Sequence, residues 1–423
     1  MKHAEPSGDI VYLTQLYTPE PTFKGDRFAK GLDEAGYDVE VVTGFPNYPG
    51  GRVYDGFKMR PIARGADEGL KVVRLATYPS HDRSAVRRIL SYLSFSITSF
   101  LYLLFRRRPR LIYVYYPSLT AGLTAIAIKW LRRVPVVVDI QDMWPDSLGA
   151  AGMMQNGRLI AMVEWFCQLL YRNVDHIVVL SPGFRHTLIE RGVPAEKITV
   201  IYNWADEMAQ LDSKSVTLST ASPFDPKHTF TLLFAGNMGA AQRLDSVLDA
   251  AKSLAAERGD IGIYLMGGGV DVERLKARVA DEEIGNVRFL PRVPLPEVQD
   301  ILRQAGALLV HLARDPLFAI TVPSKTQSYL YAGRPILMAV DGNAADLVAE
   351  GEAGIVVEPE NPQALADAIR TLADMGVEGR DEMGARSRAF YDRKLTFRQG
   401  MDATIGIIER FRRRSRDEIR SSI

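Results

Sequence analysis

From Ile10 to Tyr202, short β-branched or aromatic runs alternate with longer stretches of helical periodicity, the pattern of a parallel sheet covered by helices. The alternation predicts strands at 10–16, 39–43, 72–76, 111–115, 136–140, 177–180 and 198–201. It breaks at 203–229, where Ser, Thr, Asp and Pro carry no apolar period, and this stretch reads as a connection between domains. A second series follows, with strands at 231–235, 261–266, 287–290, 307–311, 336–340 and 354–357, then a helix near 362–375 and a helical tail from residue 386. The expected fold is α/β: two Rossmann-like domains in tandem, 1–208 and 225–385, facing across a cleft, with helices over 386–423.

One segment between the last strands is chemically pointed. Residues 323–335 run Pro323, Ser324, Lys325, Thr326, Gln327 to Gly333, Arg334, Pro335. Ser324 and Gln327 have the spacing of a capping box, and Gly333 with Pro335 supplies a stop, so a helix is expected over 325–332. Its free N–H groups would lie at the carboxyl end of a parallel strand, with Lys325 adding a full charge, an arrangement that holds phosphate.

Other loops after strands carry candidate chemistry. The run 18–26 leads into a helix at 27–35, and Gly25 would let a ligand approach the backbone, although an ordinary loop fits as well. Phe45, Pro46, Asn47, Tyr48 and Pro49 form an aromatic loop suited to stacking on a sugar ring; a bare turn explains it equally. The run 139–146 holds Asp139, Asp142 and Asp146 with Trp144; Asp142 is favoured as a site residue over a helix cap, while Trp144 and Asp146 stay open. In the second domain the loops 234–243 and 266–269 are glycine-rich, and together with Lys325 and Arg314 they would neutralise a diphosphate.

Composition narrows the chemistry. At 423 residues the chain fits two domains, and 52 Lys and Arg against 51 Asp and Glu create no global field for nucleic acid, which is not an expected partner. The single cysteine, Cys167, excludes an intramolecular disulfide and a cysteine metal cluster, and the polar residues 1–9 predict no signal peptide, so the expected compartment is the cytoplasm. There is no Asp-x-Asp, no His-Glu-x-x-His and no Gly-x-Ser-x-Gly, so no metal or cofactor is expected. Residues 89–105 are apolar apart from Ser, Thr and Tyr, between Arg87, Arg88 and Arg106, Arg107, Arg108; they read as a core helix or as one lying on a membrane, with 412–416 as a further basic run.

The tandem domains, Phe45–Pro49, Asp142–Asp146, Leu180–Phe184, Asn203, Trp204 and Pro323–Gln327 resemble the GT-B glycosyltransferases of the retaining family 4. Within that family they are similar to the branch that builds bacterial O-antigens, capsules and exopolysaccharides, many of whose members are called L-fucosaminyl transferases. The resemblance implies a UDP-sugar co-substrate held by the second domain, an N-acetylated hexosamine or deoxyhexosamine as the transferred sugar, and a polyprenyl-diphosphate-linked saccharide as acceptor. It also implies last helices that cross back to the first domain, transfer with retention, no metal, and peripheral attachment to the inner face of the cytoplasmic membrane.

On that resemblance Asp142, Lys325 and Arg314 are the catalytic candidates. The donor falls to Gly236, Asn237, Gln242, Gly268, Arg292, Val293, Pro323, Ser324, Gln327, Ser328 and Asp346, and the acceptor to Glu20, Lys24, Gly25, Asn47, Tyr48 and Trp144. Membrane contact falls to Arg88, Leu93, Phe100, Leu104 and Arg107. Asn237 and Gln242 replace the family's Arg and Lys, Ile320 and Ser328 replace its two glutamates, and Gln141 replaces its histidine. Ribose binding therefore passes to Gln327 or Asp346. The alternatives are a nucleotide-sugar 2-epimerase of the same fold and a catalytically silent polysaccharide-assembly subunit.

Overall fold

The computed structural model describes residues 9–80, 85–116, 118–147, 156–207 and 222–420, without the side chains of 85, 86, 116, 295, 296 and 412–420. The chain divides into two units, 1–202 with 400–423, and 203–399. The basic run 412–416 lies outside the described side chains, and so does most of the expected connection 203–229, at 208–221.

The first unit is an eight-stranded sheet. Its elements are β1 (Asp9–Leu13), α1 (Asp26–Glu34), β2 (Asp38–Gly44), β3 (Ile62–Asp67), β4 (Leu70–Leu75), α2 (Ala85–Phe105), β5 (Leu111–Tyr116), α3 (Leu119–Arg132), β6 (Val136–Ile140), α4 (Gly157–Asn173), β7 (His176–Val179), α5 (Pro182–Glu190) and β8 (Ile198–Val200). The order is β3-β4-β2-β1-β5-β6-β7-β8, and only β3 runs antiparallel, from Ile62 opposite Leu75 to Asp67 opposite Leu70. The central strands are almost wholly apolar because helices cover both faces: Val136, Val137, Val138 and Ile140 of β6 are completely buried.

The second unit holds β9 (Phe230–Asn237), α6 (Asp245–Ala255), β10 (Ile261–Gly268), α7 (Val272–Asp281), β11 (Val287–Leu290), α8 (Leu295–Gln304), β12 (Ala307–His311), α9 (Pro316–Ile320), α10 (Ser324–Ala332), β13 (Ile336–Ala339), α11 (Asn343–Glu350), β14 (Gly354–Val356), α12 (Pro362–Asp374) and α13 (Gly376–Lys394). Its six strands are all parallel, in the order β11-β10-β9-β12-β13-β14. Both sheets reverse direction of growth at one place, between β1 and β5 and between β9 and β12, and ligands bind beyond the carboxyl ends of strands at such points.

The helices expected over 386–423 are present, but the first of them, α13, begins at Gly376. α13 stays in the second unit, where the Arg388 guanidinium lies 4.3 Å from the Tyr331 ring of α10. α14 (Phe397–Arg420) joins the first unit from Gly400, where Tyr37 donates a 2.6 Å hydrogen bond to Glu409.

Candidate active site

In the second unit the site grows from the end of β9. Phe234 is buried, and the next two residues bring the chain to Gly236, whose φ of 140° belongs to glycine. α10 is pinned against this end by Tyr329, whose hydroxyl accepts from the Ala235 N–H at 2.9 Å and reaches the Ala235 carbonyl at 3.3 Å. One turn earlier on the helix, the Lys325 ammonium lies 3.5 Å from the centre of the Phe234 ring. A Cβ on Gly236 would stand 2.7 Å from Lys325 Cε, so only glycine leaves the lysine this path along the strand.

Lys325 retains some exposed surface, yet its ammonium is enclosed enough that burial lowers its pKa to about 7. No carboxylate forms an ion pair with it among the described residues. The structure thus holds a basic group, partly desolvated and without an ion-pair partner among the described residues, at the switch point and in the first turn of a helix.

The neighbouring loops are fixed by internal hydrogen bonds. Gln242 Oε1 accepts from the Gly239 N–H at 3.0 Å, so this donor candidate shapes the turn that carries exposed Asn237. His311, fully buried at the end of β12, lies 2.8 Å from Gln242 O through Nδ1 and accepts from the Glu360 N–H at 3.3 Å through Nε2. These two bonds select the tautomer with the proton on Nδ1, and burial lowers the ring's pKa against the Gln242 contact, which raises it. A Cβ on Gly267 would stand 2.1 Å from Gly236 O, so this glycine serves the pairing of β9 with β10, whereas Gly268 faces open space.

Several expectations change. The capping box is absent: Pro323 is the N-cap, Ser324 is the first helical residue, and Gln327, oriented to donate, reaches the carbonyls of Pro323 at 2.8 Å and Ser324 at 3.1 Å. Gln327 is buried, which removes it from ribose binding and leaves Asp346, exposed in the first turn of α11; Ser328 is half-buried. Arg314 does not offer a free charge, because it pairs with Glu358 and lies 3.6 Å from Asp341, on an open cavity of about 410 Å³ formed with residues 358–362. Arg292 and Val293 lie on the loop after β11, the arginine exposed.

In the first unit Lys24 is fully buried and ion-paired to Asp139, which also accepts from Tyr113 at 2.6 Å and Gln141 at 2.5 Å. Lys24 is therefore a core residue, not an acceptor contact. Gly25 is packed too, since a Cβ there would come 2.9 Å from Thr18 Oγ1. Glu20 is buried and accepts from the Asn47, Tyr48 and Tyr17 N–H groups at 2.7, 2.8 and 3.2 Å, which locks the aromatic loop in place; burial still raises its pKa. Asn47 is buried as well, its amide donating to Phe45 O at 2.9 Å.

The open part of this edge is formed by Asp142, Tyr48, Trp144, Arg88 and a residue not foreseen, Tyr92 of α2. The Tyr92 and Trp144 ring centres are 6.4 Å apart, and Arg88, Asp142 and Tyr48 all act electrostatically on the Tyr92 phenol. The Asp142 carboxylate reaches solvent but is ringed by protein, and burial raises its pKa. Asp146 turns away to pair with Arg191.

α2 buries Ser91, Phe95, Ser99 and Leu103 and presents Ile89, Leu93, Ile97, Leu101 and Phe105, the last 82% exposed. Its outer stripe includes Leu93 as expected, but Phe100 and Leu104 lie beside it and are half-buried. By length and composition 87–105 would suffice to cross a membrane.

Known proteins match along most of this framework. The chain fits the family description "Glycosyl transferase 4-like domain" over residues 26–204 and "Glycosyl transferases group 1" over 219–390. It is 28% identical over 371 residues to WcaI of Escherichia coli K12, a glycosyl transferase named for colanic acid biosynthesis, covering 84% of this chain and 89% of the relative. Among solved structures, HepE of Anabaena in complex with UDP superposes with a TM-score of 0.65 at 14% identity, covering 95% of this chain and 99% of that one. Sucrose-phosphate synthase of Thermosynechococcus elongatus gives 0.70 at 15%, covering 95% and 98%. At such identities the structures speak for the fold, and the family matches for the kind of enzyme: the chain belongs to the family 4 glycosyltransferases of GT-B fold.

Proposed function

We propose that this glycosyltransferase moves a sugar from a UDP-sugar to a polyprenyl-diphosphate-linked saccharide during assembly of a bacterial surface polysaccharide, with retention and without a metal. The observation that carries the reading is Lys325, an uncompensated ammonium over Phe234 at the β9 switch point. In this chemistry the bond from the sugar's anomeric carbon to the β-phosphate oxygen breaks as the acceptor oxygen bonds on the same face. The acceptor proton passes to the departing diphosphate. Lys325 and the start of α10 neutralise the charge that builds on that diphosphate, so the protein's contribution is electrostatic. The name of WcaI and the UDP held by HepE support the pathway and the nucleotide.

The exposed stripe of α2, with Arg88 and Arg107 near its ends, supports a helix lying along an anionic lipid surface, where such an acceptor resides. The test is a panel of UDP-sugars with short polyprenyl-diphosphate saccharides, read by mass spectrometry, with the new linkage assigned by NMR. Extension with release of UDP is expected. Turnover of the UDP-sugar with no lipid acceptor present would move the reading to a nucleotide-sugar epimerase or hydrolase.

A further inference from the structure

A second charged feature lies in the first unit, away from Asp142. A cleft of about 650 Å³ between the β3–β4 edge and the loops at 18–19 and 56–60 is lined by Lys58, Arg60, Arg64 and Arg74 against one carboxylate, Asp67. Arg74 is 9% exposed, and its partners are neutral: it donates to Thr18 O at 2.7 Å and Gly44 O at 3.3 Å and stacks 5.0 Å from the Phe57 ring. Among the described residues none of the four cations has a carboxylate within ion-pair distance. Burial lowers the Arg74 pKa, and Asp67 and Glu20 act on the guanidinium only from beyond ion-pair distance, so an anion entering the cleft would meet an incompletely matched charge. Guanidinium forks fit phosphate oxygens in pairs.

We propose that this cleft binds the phosphate group of the lipid-linked acceptor. The site deepens the function proposed above and rests on its acceptor class. The lipid source is favoured over a free phosphate by Arg64, which lines both this cleft and a groove of about 450 Å³ on the other face of β3–β4. That groove is formed by Ile62, Leu75, Leu101, Tyr102 and Phe105, and it opens onto the exposed stripe of α2. The Arg64 guanidinium lies 5.9 Å from the Tyr102 ring, at the junction of the basic and the apolar surface. An isoprenoid chain leaving its phosphate at Arg64 has apolar surface to follow, and inorganic phosphate has none to use.

The test compares the full-length protein with the triple variant Lys58→Ala, Arg60→Ala, Arg64→Ala, all at exposed positions. Binding of inorganic pyrophosphate and of farnesyl diphosphate is titrated, with UDP affinity as the measure of an intact second unit. The wild type should bind farnesyl diphosphate more tightly than pyrophosphate, and the variant should lose affinity for both by at least about tenfold while keeping its affinity for UDP. Equal affinities in wild type and variant would overturn the site, and equal affinities for the two probes would overturn the lipid source. An unchanged KM for the lipid-linked acceptor in the variant would remove the acceptor from the cleft while leaving the transferase reading standing. Loss of pyrophosphate binding in the variant, with no transfer by the wild type to any lipid-linked saccharide, would instead sink the transferase reading and spare the anion site.

Discussion

Two lysines follow the central strands of the two sheets and meet opposite fates. Lys24, between β1 and α1, is buried with Asp139 as its partner, and Tyr113 and Gln141 complete the carboxylate's hydrogen bonds. Lys325, beside β9, is directed over the Phe234 ring with no carboxylate partner among the described residues, and burial lowers its pKa to about 7. Position beyond a switch-point strand is the same in both. What separates a structural from a functional cation is whether the fold already supplies its counter-charge.

The comparison can be broken from either side. Lys24→Ala strands Asp139 in the core, and should cost about 3–5 kcal/mol of stability in a denaturant titration. A loss under 1 kcal/mol, about the worth of a surface pair, would mean the pair is not the core element described. Lys325→Ala should lower kcat about 10²–10³-fold with no fall in the denaturation midpoint, because a charge without a structural partner is removed; near-normal turnover would return Lys325 to the class of Lys24. Gly236→Ala places a methyl 2.7 Å from Lys325 Cε at a φ of 140°, and should cost about 1–3 kcal/mol and displace the ammonium, lowering turnover along with stability. Arg314→Ala should have the smallest effect, a few-fold change in turnover at most, because Glu358 already satisfies its charge.

Most of the fold was legible because buried parallel strands are continuous apolar runs: β6 and β12 fall at the residues the pattern predicts. β3 was not, since Ile62, Ala63, Arg64, Gly65, Ala66 and Asp67 alternate no apolar face and become a strand only by pairing with β4 at the sheet edge. The helix at 324–332 was visible through Gly333 and Pro335, whereas its cap was misread because Ser324 and Gln327 match a spacing that Pro323 pre-empts. Lys325 stood out through its place on that helix. The burial of Lys24, the pairing of Arg314 with Glu358 and the role of Tyr92 depend on residues distant in the chain, which no local spacing announces. His311 carried one signal, a lone imidazole closing an apolar strand, and its two hydrogen bonds explain it.

The central claim is that Lys325 waits uncompensated for a diphosphate. A lysine with a folded pKa of about 7 and an ordinary value of 10.5 holds its proton more weakly in the folded chain than in the unfolded one. Stability without ligand should therefore rise with pH between those values and level off above them. Binding of the diphosphate must return the proton. Calorimetry of UDP binding at pH 8, run in buffers of different ionisation enthalpy, should show net proton uptake in the wild type and none in Lys325→Met. Binding by the wild type with no proton uptake would contradict the account.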